Sequence, residues 1–186
     1  MNIFNMAKKI KFLPIIFLCG NIFIFGQSNI NLGGYFGGGM IGGNLPNQGS
    51  FTSSLFIDFN PGFNSNLSMR VSYLYIADFN LLLPENTNQY NPFIKGFSIK
   101  AMTWQSLSKS FYIEEGIGPL ALNDRTFFNL NTWDYGIVFS VVAGLEFGKS
   151  EGKREFRLGA GTEYGLTLTH TFVRYLSFQL QAQYYL

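Results

Sequence analysis

The chain has 186 residues, a formal charge of +2, 18% aromatic residues, 13% charged residues and 21 glycines. One cysteine and one histidine exclude a disulfide framework and argue against a transition-metal centre, so no cofactor is expected. The positive charge is local: Lys8, Lys9 and Lys11 fall in the first 26 residues, and without them ten basic side chains face eleven acidic ones. The remainder therefore carries no basic signature of nucleic-acid binding.

Residues 1–26, MNIFNMAKKIKFLPIIFLCGNIFIFG, place that basic cluster before an apolar block. This is the layout of a cleaved secretory signal peptide. Pro14, Gly20 and Asn21 interrupt the block, which leaves it short of the roughly 20 apolar residues of a membrane helix. Cleavage is placed after Gly26, although Ile24 is a poor partner two positions earlier. Cys19 would suit a lipid anchor, but Leu18 stands where such signals carry a small residue. Residues 27–186 are then a single domain.

Downstream, apolar residues alternate with small or polar ones, the period of a strand whose two faces meet different surroundings. A glycine-rich strand spans roughly Ile30 to Ile41. Phe51, Leu55, Ile57 and Phe59 then oppose Thr52, Ser54 and Asp58. Leu67, Met69, Val71, Tyr73 and Tyr75 oppose Ser68, Arg70 and Ser72, and Phe97, Ile99 and Ala101 oppose Ser98 and Lys100. Phe111, Ile113 and Ile117 oppose Tyr112, Glu114, Gly116 and Gly118, but Glu115 and Pro119 fall on the apolar face, so this fifth strand has the least secure register. The pattern is clear again from Tyr135 to Gly148 and from Phe156 to Gly165. It is cleanest from Leu176 to Leu186, where Ser177, Gln179, Gln181 and Gln183 share one face.

Compact connections, NPGFNSN, SLSKS and KSEGKRE, alternate with longer ones, GGNLPNQGS, LLPENTNQYNP, LALNDRTFFNLNTWD and a stretch near His170 to Tyr175. Short periplasmic turns and longer outer loops are the habit of outer-membrane barrels. About eight strands enclose too narrow an interior for the Phe and Tyr residues of the apolar faces. Turned outward, those residues meet lipid, and the small and polar faces fill the lumen. The expected fold is an all-β, antiparallel, up-and-down transmembrane β-barrel of about eight strands.

The export signal, INLGGYFGGGM, FYIEEGIGP and the terminal strand LSFQLQAQYYL resemble the small bacterial outer-membrane β-barrel proteins, with their OmpX-like and OmpA-barrel-like members. The resemblance covers the mature chain and implies outer-membrane lipid as its surroundings and a location in a Gram-negative-type envelope. It also implies that the barrel assembly machinery recognises the last strand, here through Tyr184 and Leu186, the latter where the group usually has Phe. A monomer without nucleic acid is expected.

Asp58, Arg70, Lys100, Glu114, Glu146, Arg157 and Glu163 share the inward parity. Counting across KSEGKRE sets Glu146 opposite Arg157. These charges either neutralise one another and plug the lumen or line a narrow pore for a solute. A different reading makes His170 the centre of a lipid-modifying hydrolase that recruits Glu163 or Glu146 and Ser177. THTFVRY lacks the His-x-Ser arrangement of lipid A deacylases, and parity puts His170 toward lipid or in a loop while Glu163 points inward. Trp133, Phe127, Phe128 and Tyr90 in the loops suit surface binding or membrane anchoring. GGYFGGG leads into no helix start and is no phosphate loop. The favoured function is non-enzymatic: envelope integrity or loop-mediated surface interaction.

Overall fold

The structure is a computed structural model that describes residues 30–43, 46–61, 64, 66–83, 91–147 and 156–186. The expected signal peptide, its cleavage site, Cys19 and Tyr90 lie outside the described residues. Eight strands follow one another: β1 (Ile30–Gly42), β2 (Gln48–Phe59), β3 (Leu67–Asp78), β4 (Phe93–Ser106), β5 (Phe111–Arg125), β6 (Thr132–Phe147), β7 (Phe156–Thr167) and β8 (Arg174–Tyr185). A 3-10 turn, Phe79–Leu82, follows β3 with its first turn capped by the Asp78 carboxylate. Each strand pairs antiparallel with its chain neighbours, and β8 returns to β1 to close the barrel.

Register fixes the shape of that closure. Ile30 pairs with Phe59, and the path continues through Met69, Ala101, Ile117, Phe139, Tyr164 and Leu176. It comes back to β1 at Met40, ten residues beyond its start. A stagger of this size on eight strands tilts them about 40° from the barrel axis.

Period-two alternation decides which side of the wall each residue occupies, and here it inverts the usual order of a folded protein. Leu180 is 71% exposed on the outside, while Lys100 is 1% exposed inside. The outer wall is an apolar belt with aromatic pairs such as Tyr73–Phe97 and Phe147–Phe156.

Two expectations from the sequence need correction. The connections at one end are 43–47, 79–92, 126–131 and 168–173, and those at the other are 60–66, 107–110 and 148–155, so only 79–92 is long. LALNDR does not loop out, because Leu120, Leu122 and Asp124 still face inward and are buried, which carries β5 on to Arg125. We refer to the two as the loop end and the turn end. The doubtful fifth strand is in steady register with both neighbours. Its ladder to β4 is broken only where Ile99 and Lys100 pass Gly118 and Pro119. Proline offers no N–H there, and a Cβ on Gly118 would stand 1.9 Å from the Ile99 carbonyl oxygen, so the backbones are pressed together at this point.

Candidate functional site

The lumen is built from the inward residues of every strand, and all seven predicted charges lie in it and are buried. Arg70 and Asp58 are cross-strand partners. The guanidinium donates from Nε to Oδ1 at 2.6 Å and from Nη2 to Oδ2 at 2.8 Å, the planar fork that suits a carboxylate. Nη2 also reaches Glu114 at 3.1 Å, and Nη1 donates to Gln181 Oε1 at 3.0 Å. Gln181 returns its amide to Glu114 at 3.0 Å, and Gln183 donates to Asp58 at 2.7 Å. Below the guanidinium lies the Phe56 ring, 3.9 Å away. That ring needs Gly33 across the sheet, where a Cβ would come within 2.3 Å of it.

Toward the turn end, Arg157 donates to Glu146 Oε1 from Nε at 2.8 Å and Nη2 at 2.5 Å, and its Nη1 lies 3.7 Å from Glu114. Glu114 thereby links the two arginines. Three rings surround Arg157: Tyr185 at 4.4 Å, Trp104 at 4.6 Å and Tyr112 at 5.2 Å. Such contacts are stronger when the cation is desolvated. Lys100 and Glu163 form a separate ion pair, and Tyr35 and Tyr175 donate to the other Glu163 oxygen at 2.6 and 2.7 Å.

Above these charges, toward the loop end, the lumen changes character. Leu74, Ile76, Ile94, Leu122, Val138 and Val173 belong to one buried apolar cluster inside the barrel. Buried polar groups are interleaved with it, since Thr52, Asp124 and Asp134 are the cross-strand partners of Ile76, Ile94 and Leu122, so the polar interior expected from the sequence is interrupted there and resumes at the loop end. The cluster's own side chains offer water no hydrogen bonds, so they narrow the polar space above the ion pairs.

The residues considered for hydrolysis do not converge. Glu163 and Ser177 are cross-strand partners inside the barrel, and Glu146 is held by Arg157 near the turn end. His170 belongs to the connection after β7, with its side chain 68% exposed and Nδ1 3.4 Å from Asp134. Buried Asp134 organises that connection by accepting from the hydroxyls of Thr169 and Thr171. The backbone of Phe172 has φ 49°, which turns its ring outward and lets Val173 enter the lumen. Phe127, Phe128 and Trp133 are exposed. Among the described residues no three metal-ligating side chains come together. At the terminal strand, Tyr184 pairs with Leu32 and Phe156, and the amide of exposed Leu186 donates to the Ile30 carbonyl at 3.1 Å.

No protein-family model matches the chain, and no curated protein matches it in sequence. Solved structures do. Neisserial surface protein A is similar at a TM-score of 0.56, with 11% identity over 83% of this chain and 95% of that one. The attachment invasion locus protein Ail of Yersinia pestis, in complex with the heparin analogue sucrose octasulfate, is similar at 0.50, with 14% identity over 87% and 100%. The fold is that of the OmpX-like and OmpA-barrel-like outer-membrane proteins. In this barrel the partners that sequence reasoning missed are Tyr35, Phe56, Trp104 and Tyr175. Each obeys the inward parity, so alternation alone could have found them. The apolar cluster had no such signal, because from Leu74 to Ala77 and from Pro119 to Leu122 both faces are apolar or aromatic and the period of two disappears.

Proposed function

We propose that this OmpX-like barrel lies in the outer membrane as a non-conducting, non-enzymatic element that supports envelope integrity or presents its loops for surface interaction. The observation that carries the reading is the double obstruction of the lumen. An ion-paired network of Asp58, Arg70, Glu114, Glu146 and Arg157 lies nearer the turns, and the apolar cluster around Ile76, Ile94 and Leu122 lies above it. An ion crossing the barrel would have to separate buried charge pairs and then pass between packed apolar side chains that offer it few ligands.

Planar-bilayer recording of the refolded protein tests this. The expected trace is flat at voltages that leave the bilayer intact. Stable, ion-selective steps would replace the plug with a pore.

Lipid on the outside follows from the exposed belt and from the closed sheet, which leaves hydrocarbon no unpaired strand edge. In the same reading Tyr184 and Leu186, on the strand that closes the barrel, are what the assembly machinery engages. The hydrolase reading lacks a constellation, since His170 meets Asp134 but neither Ser177 nor Glu163. His170→Ala is expected to leave envelope lipids unchanged by mass spectrometry, whereas a lost acyl-chain modification would restore that reading.

A further inference from the structure

Glu115 is the one acid of the strands that parity sends to the middle of the outer wall. It faces out between Ile113 and Ile117, is exposed, and has Thr103 of β4 and Val141 of β6 as cross-strand neighbours. It lies four residues along β5 from Phe111, which is near the turn end. At about 3.3 Å per residue and a tilt near 40°, that places it on the order of 10 Å inside the apolar belt. A glutamate side chain is too short to reach the interface from there. Among the described residues no hydrogen bond or ion pair engages its carboxylate. The next residue, Glu114, shows the contrast, because it points inward and is held by Arg70 and Gln181.

An ionisable group at this depth on a lipid-facing wall is costly and marks a contact. The wall around it indicates which contact. Thr103 and Gln105, with a hydroxyl and an amide to donate, are outward and exposed beside it, and Ala101 adds little bulk. Acceptor and donors thus share one patch, while the opposite side of the barrel presents residues such as Phe36, Leu55, Phe178 and Leu180. Such a patch complements itself. Two copies inserted in the same direction are related by a twofold axis along the membrane normal, and residues of equal height meet across it. Glu115 and Thr103 are register partners that at this tilt differ in height by about 3 Å, within reach of a glutamate side chain, so each carboxylate meets the other copy's hydroxyl.

We infer that the β4–β5 wall around Glu115 is the contact for a second copy of this chain. This departs from the monomer that the sequence suggested, and it rests on the membrane reading above.

The full chain with Cys19→Ser is refolded into phosphatidylcholine–phosphatidylethanolamine vesicles, and insertion is checked first by heat-dependent gel shift and protease resistance. Failure to insert would overturn the membrane reading itself. For inserted protein, mild oxidation is expected to cross-link Ala101→Cys at least fivefold more than Leu180→Cys on the opposite wall. Glu115→Leu should abolish the difference and Glu115→Gln, which still hydrogen-bonds, should keep most of it. Inserted protein that does not cross-link, cross-links equally on both walls, or is indifferent to Glu115→Leu would overturn the pairing and leave the membrane reading standing.

Discussion

Arg70→Met is expected to destabilise the barrel by about 3–5 kcal/mol, the usual result of removing one member of a buried charge network. The methionine fills much of the volume over Phe56, so the loss is electrostatic. Asp58 loses both oxygens' contacts with the guanidinium, and Glu114 loses its nearer cation and keeps only the longer contact to Arg157. Two carboxylates would then share a buried compartment with Gln181 and Gln183 as their remaining donors. Urea titration of protein folded in vesicles measures the change. The same titration on Arg70→Met combined with Asp58→Asn and Glu114→Gln should recover most of the loss, because the neutral amides no longer require a cation. A loss of less than about 1 kcal/mol for the single change, as for an exposed pair, would mean that water reaches the network and the lumen is open.

Leu180→Arg separates the two possible surroundings of the outer wall by sign. Leu180 is highly exposed and its strand neighbours Phe178 and Ala182 face the same way. In water an exposed leucine replaced by arginine would change stability by no more than about 0.5 kcal/mol. In a bilayer the guanidinium enters hydrocarbon, at a cost of about 2–4 kcal/mol near the midplane. The inward neighbour makes the control: Gln181 is hydrogen-bonded to Arg70 and Glu114, so Gln181→Leu should cost stability although it adds apolar surface. Equilibrium unfolding from vesicles is therefore expected to penalise arginine outside and leucine inside. The reverse order would return the chain to the class of soluble barrels.

Both changes depend on a parity that was legible residue by residue. Wherever one face of a strand was apolar and the other was not, as from Leu176 to Tyr185 or from Leu67 to Ser72, alternation alone located lumen and exterior. It also placed all seven lumen charges on one side of the wall. Its reach ended where contrast ended. Ile76, Ile94 and Leu122 alternate with Tyr75, Phe93 and Ala121, so neither face is marked and the apolar cluster inside the barrel left no trace in the period. Connection lengths misled for a related reason. Asn123, Asp124 and Arg125 read as loop by composition, yet pairing with Phe93 to Lys95 on one side and Thr132 and Trp133 on the other keeps them in the sheet. Which acid meets which cation was legible only where a short connection sets the two opposite each other, as it does Glu146 with Arg157 and Asp58 with Arg70. Lys100 and Glu163 meet across the lumen, from strands three apart in the order, and a sequence carries no count for that.

The seam between β1 and β8 has a kinetic meaning. Its hydrogen bonds join the two ends of the described chain, from Asn31 with Tyr185 up to Gly42 with Arg174, and they include the longest-range pairings in the barrel. Until β8 is available, the growing sheet ends in two unsatisfied margins that hydrocarbon will not tolerate. On the proposed membrane reading, closure and entry into the bilayer are then expected to be coupled. Contacts of such high order form slowly, and the waiting chain, rich in exposed aromatics, is liable to aggregate meanwhile. A chain that loses β8 would leave the edges of β1 and β7 unpaired, and on the same reading it is expected not to insert.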